Sequence, residues 1–97
     1  MAVYMMISYD ILDEAVWQNY PVRVAPILQK YGARVLAIET NPVVLEGKPK
    51  MMNALIEFPS EQSALSCYND PAYVEVKKIR LSSTNNCTMI IVKEYRQ

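Results

Sequence analysis

The sequence contains no histidine. That removes the commonest general base of neutral-pH catalysis and the commonest neutral metal ligand. Nucleophiles of the Ser-His or Cys-His kind go with it. Glycine occurs only at Gly32 and Gly47, so no glycine-rich loop can cradle phosphates. Cysteine occurs only at Cys67 and Cys87, a spacing that fits no structural zinc site. Neither a metal nor a cofactor is therefore expected, and both thiols read as small hydrophobes kept reduced in the cytoplasm. Charge of one sign is lacking too: ten Lys and Arg balance ten Asp and Glu. No electrostatic footprint for nucleic acid or anionic lipid follows from that balance. Lys77, Lys78 and Arg80 make the one basic cluster and read as a solvated helix face. No apolar run approaches the ~20 residues that cross a bilayer. The apolar start, Met1 to Tyr9, has no basic leader and no small-residue cleavage site, so it is not expected to be a secretory signal.

What is present is apolar. Of 97 residues, 52% are hydrophobic, with six Met and seven Tyr. The length suits one domain, 1–97. A domain this small buries only about two-thirds of its unfolded surface, so such a rich apolar content points to burial against a partner.

The pattern along the chain gives strand, helix, strand, strand, helix, strand. Val3 to Tyr9 (VYMMISY) is apolar at nearly every position, as expected of a central strand covered on both faces. Asp10 to Asp13 can cap a helix whose stripe is Trp17, Tyr20, Val24, Ile27, Leu28 and Tyr31. Pro21 and Pro26 interrupt it and predict a kink or break near Tyr20. Gly32 suits a left-handed C-cap. Strands are predicted at Arg34 to Glu39, with Val43 to Leu45 extending or restarting it, at Met51 to Phe58, and at Thr88 to Tyr95. Between the last two, Ser60 caps one helix, and Asp70 with Pro71 starts another bearing Tyr73, Val76, Ile79 and Arg80. Ser82 to Asn86 is polar and reads as the helix end.

Two such βαβ halves predict an α+β fold, the ferredoxin-like βαββαβ plait: a four-stranded antiparallel sheet with its helices on one face. The other face would then present Met, Ile, Val, Tyr and Leu to water. An exposed apolar sheet of that size is poorly tolerated on a monomer. Packing two sheets face to face covers it, so a homodimer through the open sheet face is expected.

The stretches Tyr31-Gly32-Ala33-Arg34, Val44-Leu45-Glu46-Gly47, Glu57-Phe58-Pro59-Ser60 and Tyr68-Asn69-Asp70-Pro71-Ala72-Tyr73, with Arg80 downstream, carry a resemblance. In order and spacing the chain resembles the bacterial family called domain of unknown function 1330, of the dimeric α+β barrel superfamily. It departs from that pattern where Ala33 replaces a second glycine and Cys67 a tryptophan. The resemblance implies the plait and the dimer. It also implies kinship with cofactor-free monooxygenases, lactone isomerases and dehydratases that keep a pocket between sheet and helices.

For chemistry, the residues leave carboxylates, arginines and tyrosines. Arg34, Glu57 and Arg80, with Tyr31, Tyr68 or Tyr73, are the candidates to line such a pocket. An arginine there could hold a small carboxylate or enolate through paired hydrogen bonds. A Glu57 shut away from water could serve as a base. The commoner role for such residues is a structural Arg–Glu pair or plain exposure. The functional expectation is thus a cofactor-independent enzyme or binder of a small carboxylate or aromatic molecule. The competing expectation is a dimeric structural or regulatory module without catalysis.

Overall fold

The computed structural model describes residues 1–96; Gln97, the last residue of the expected 1–97 domain, lies outside the described residues. The elements run β1 (Val3–Ile11), α1 (Glu14–Trp17), α2 (Asn19–Lys30), β2 (Arg34–Glu39), β3 (Met52–Phe58), α3 (Glu61–Asn69), α4 (Pro71–Ser83) and β4 (Thr84–Lys93). The strands form an antiparallel sheet in the order β2-β3-β1-β4. This is the ferredoxin-like plait. β1 lies between β3 and β4, where its apolar composition on both faces places it.

Local chemistry sets the helix ends. The Asp13 carboxylate accepts from the Val16 amide at 3.1 Å and caps α1. α1 stops after one turn, and the chain restarts as α2 at Asn19. Pro21 then sits in the first turn of α2, where its missing amide costs nothing. The expected break therefore falls at Gln18, just ahead of Tyr20. Pro26 stays inside α2. Gly32, at φ +71°, closes α2 by donating its amide to the Gln29 carbonyl at 3.1 Å. The Ser60 hydroxyl accepts from the Ser63 amide at 3.1 Å, and Asp70 from the Ala72 amide at 2.8 Å, with Pro71 opening α4.

Two expectations need correction. Val43 to Leu45 form no strand; the chain between β2 and β3 is irregular. β4 begins at Thr84 rather than Thr88, directly after α4. The Ser83 carbonyl accepts from the Leu12 and Asp13 amides at 2.8 and 3.1 Å, which ties the end of α4 to the end of β1. Asp10 and Ile11 then offer a paired edge to Asn85 and Thr84. Tertiary hydrogen bonding thus draws a polar segment of low β-propensity into the sheet.

Both outer strands carry bulges. In β4 the register with β1 shifts between Ser8 and Asp10, and Asn86 there adopts φ +57°. In β2 the shift falls between Val35 and Ala37. Val35 opposes Ile56 and Ile38 opposes Ala54, so both aim at the helix side, which strict alternation would not allow.

The core lies between sheet and helices. Val3, Met5, Ile56 and Phe58 meet Val24 and Ile27 of α2, Ala64 and Cys67 of α3, and Tyr73 of α4. Phe58 is 0% exposed, a burial worth about 1.5–3 kcal/mol. The opposite face holds cross-strand rows: Leu55, Met6 and Ile90 in one, Glu57, Tyr4 and Val92 in the next. Met6 and Ile90 remain 47% and 48% exposed.

Candidate functional site

The helices do not pack down fully on the sheet. They leave a cavity of about 420 Å³ between the sheet's inner face and the helical layer. β1 contributes Met5, Ile7 and Tyr9, and β3 contributes Met52, Ala54 and Ile56. The re-phased Val35 and Ile38 of β2 line one side; Trp17, Tyr20, Val24 and Leu28 form the roof. Cys67, Tyr68 and Tyr73 close the α3–α4 side. The lining residues that reach solvent include Pro21, Ala25 and Gln29 of α2 with Val35 and Ile38 of β2. They mark a mouth between α2 and the edge strand.

The walls are apolar, and the polar groups concentrate among aromatic residues. Trp17 Nε1–H donates to the Tyr9 hydroxyl at 2.9 Å. The Tyr20 and Tyr73 hydroxyls bond each other at 2.9 Å, joining α2 to α4. Behind them Arg80 is 3% exposed; its Nη2 donates to the Tyr73 hydroxyl at 3.4 Å, and its guanidinium carbon lies 5.9 Å from the Tyr20 ring centroid. On its other side Nη1 donates to Cys87 Sγ at 3.0 Å. Burial pushes the Tyr9 and Tyr20 hydroxyls above the ordinary tyrosine value, so both keep their protons at neutral pH. Burial likewise raises the Cys67 thiol to about 11, which leaves it inert as a nucleophile.

The six residues singled out from the sequence separate in space. Tyr68 and Tyr73 line the cavity, and Arg80 stands directly behind Tyr73. Tyr31 does not reach it. Its hydroxyl donates to Asp70 Oδ2 at 2.5 Å, beside the Lys30 ammonium at 3.1 Å. Those two bonds and the Ala72 amide hold the Asp70 carboxyl down to about 2. Arg34 and Glu57 face each other across β2 and β3, with nitrogen and oxygen 3.6 Å apart. Their partner on the next strand is Tyr4, so they lie on the outer side of the sheet, and the Arg34 side chain is 73% exposed. Glu57 therefore presents no base to the cavity.

Tyr9, Trp17 and Tyr20 carry the polar end of the cavity, and the helical spacing of Trp17 and Tyr20 marks them only as core. One compositional signal does distinguish them: the chain has seven Tyr and one Phe. A plain apolar core is served as well by Phe, so hydroxyls at buried positions indicate a polar task inside. Among the described residues no group of three His, Cys, Asp or Glu side chains converges where it could hold a metal ion.

Similar structures share this architecture. A protein of unknown function from Rhodopseudomonas palustris, RPA0582, superposes with a TM-score of 0.84 at 16% identity, over 99% of this chain and 84% of that one. A dimeric protein of unknown function and ferredoxin-like fold from Bacteroides fragilis gives 0.67 at 13% identity, over 96% of each chain. SnoaB of Streptomyces nogalater, described as a cofactor-independent oxygenase, gives 0.66 at 7% identity, over 99% of this chain and 95% of that one. No curated protein sequence matches this one. The sequence profile described as "Domain of unknown function (DUF1330)" matches residues 2–95, and the chain belongs to that family.

Proposed function

We propose that the protein is a cytoplasmic homodimer whose subunits each take up one small, largely apolar molecule, aromatic or carboxylate-bearing, in the cavity between sheet and helices. The cavity of about 420 Å³ carries this reading. It falls in the range of small-molecule sites, is apolar along its length, and confines its hydroxyls to the aromatic cluster. Filling it with a ligand recovers contacts that an empty, apolar space of that size forfeits.

The dimer rests on the opposite face. The row of Leu55, Met6 and Ile90 spans three adjacent strands and leaves Met6 and Ile90 about half exposed. Stacking that face on a second copy about a two-fold axis removes it from water. The Bacteroides fragilis neighbour of similar fold is described as dimeric. Cys67 and Cys87 are free thiols, which fits a reducing compartment, and no helix among the described residues is long and apolar enough to cross a membrane.

Turnover without a cofactor is one use of such a cavity, as the description of SnoaB suggests. Carriage or sensing is the other. It is favoured by a specific observation: the lining holds Tyr, Trp, Cys and Gln but no carboxylate. A thermal-shift series with benzoate, phenol and naphthol derivatives tests the binding itself. Compounds that fit raise the wild-type Tm by several degrees at concentrations far above their Kd. Ala54→Phe, which fills the cavity from β3, loses the rise. No rise with any compound, or an equal rise in Ala54→Phe, overturns the proposal.

A further inference from the structure

The polar end of the cavity has donors in surplus. Tyr9 accepts from Trp17 Nε1–H, which can only donate, so the Tyr9 hydroxyl proton is left over. Tyr20 and Tyr73 share one hydrogen bond and own two protons; whichever donates, the other proton has no acceptor among the described residues. Arg80 Nη2 adds a further donor to the Tyr73 oxygen, and Arg80 Nε is buried without any partner. All three tyrosines line the cavity.

Charge is out of balance in the same way. Arg80 is 97% removed from solvent, and among the described residues no carboxylate stands within ion-pair distance of it. A buried guanidinium without a counter-charge is costly. Its neighbours are the Tyr20 ring, the Tyr73 hydroxyl and the weakly accepting Cys87 sulfur, none of them a carboxylate. The last turn of α4 carries Arg80 and lends it part of the helix dipole, which amounts to roughly half an elementary charge at most.

Resting on the reading of the cavity as a ligand site, we propose that it selects anions. The ligand is a small aromatic or conjugated molecule with a phenolate, enolate or carboxylate oxygen. That oxygen accepts from Tyr9 and from the Tyr20–Tyr73 pair, and Arg80 supplies the opposite charge one side chain behind. The oxyanion completes both sets of hydroxyl donors at once and brings a counter-charge near the guanidinium. The apolar walls hold the carbon skeleton and keep the local dielectric low, which strengthens the attraction.

The charge preference can be read directly with 4-nitrophenol, whose phenolate absorbs in the visible, and with 4-nitroanisole, which cannot ionise. Bound to the wild-type protein, 4-nitrophenol titrates at least about one unit below its solution value, which corresponds to about tenfold tighter binding of the phenolate than of the phenol. Arg80→Gln abolishes that displacement while 4-nitroanisole still binds, and Arg80→Lys recovers part of it. Should Arg80→Gln not fold, Tyr9→Phe and Tyr73→Phe, which each lose a single oxygen, show a reduced displacement with the anisole affinity kept. If 4-nitrophenol binds yet titrates at or above its solution value, anion selection is overturned and the binding cavity stands. If neither probe binds, the cavity reading falls and anion selection with it.

Discussion

The two faces of the sheet are built from the same strands and end in opposite conditions. Val3, Met5 and Phe58 face the helices and are buried by this chain alone. Met6, one residue along from Met5, faces the other way and is about half exposed. The inner face is covered by helices yet incompletely filled, and behind the aromatic end of its cavity stands a guanidinium without a carboxylate. The outer face has the reverse: an arginine with its carboxylate, Arg34 and Glu57, and greasy rows with no cover. Two arginines in one small protein thus serve different ends. The paired, solvated one settles little energetically; the buried one, in the proposal above, sets the charge preference of the cavity.

That contrast can be broken in four places. Phe58→Ala acts wholly on the inner face and should lower the unfolding free energy by about 3–5 kcal/mol, measured by urea denaturation at fixed protein concentration. A loss below about 1 kcal/mol would mean that the core between sheet and helices is far looser than the full burial of Phe58 requires. On the outer face, Met6→Lys combined with Ile90→Lys sets like charges on adjacent strands. Sedimentation should then change from twice the chain mass to a single chain mass, with far-ultraviolet circular dichroism retained. Wild-type protein already sedimenting as one chain would remove the dimer.

Asp70 tests a smaller effect at the rim of the inner layer. Its carboxyl is held down from 3.8 to about 2 by Tyr31, the Ala72 amide and Lys30. A depressed carboxyl stabilises the fold above its unfolded value, and that contribution disappears as pH falls through the folded one. The urea midpoint of wild type should therefore drop between about pH 4 and about pH 2 more steeply than that of Asp70→Asn. Asn keeps the capping oxygen and discards the charge. Identical acid limbs would show that the carboxylate's charge contributes nothing there. The smallest effect belongs to Arg34→Ala: under about 0.5 kcal/mol in the unfolding free energy, as for other solvated ion pairs. Thermal shifts by cavity ligands should be unchanged in that variant; their loss would bring Arg34 back to the site.

Much of the frame was legible before any coordinates. The bounds of β2, Arg34 to Glu39, follow from composition and the flanking Gly32 and Asn41-Pro42. The caps at Ser60 and Asp70 follow from side-chain oxygens placed ahead of helical stripes. These are short-range signals, set within a few residues. β4 is legible only from Thr88 onward, because Thr84 and Asn85 are strand residues by virtue of their partners Ile11 and Asp10 on β1, with Asn86 and Cys87 in the bulge that follows. Val43 to Leu45 carry a strand's apolar composition, yet all three remain exposed between β2 and β3. The candidate site was legible in part. Tyr68, Tyr73 and Arg80 sit in or beside the cavity; Tyr31, Arg34 and Glu57 do not. A bulge in β2 decides how the residues after Val35 are phased, and no sequence pattern announced it.

By itself, then, the order of apolar periods, caps and breakers determined the element sequence, the central place of β1 and the plait, because periodicity and capping are local properties of the chain. Only the tertiary structure decided that Tyr20 and Tyr73, 53 residues apart, share a hydrogen bond, and that Trp17 meets Tyr9 at the aromatic end of an unfilled space. It alone separated the two arginines, one to each side of the sheet. The physical reason is distance along the chain. A hydrogen bond or a buried charge acts over a few ångströms, and which groups come within that range is fixed by packing between elements rather than by any one of them.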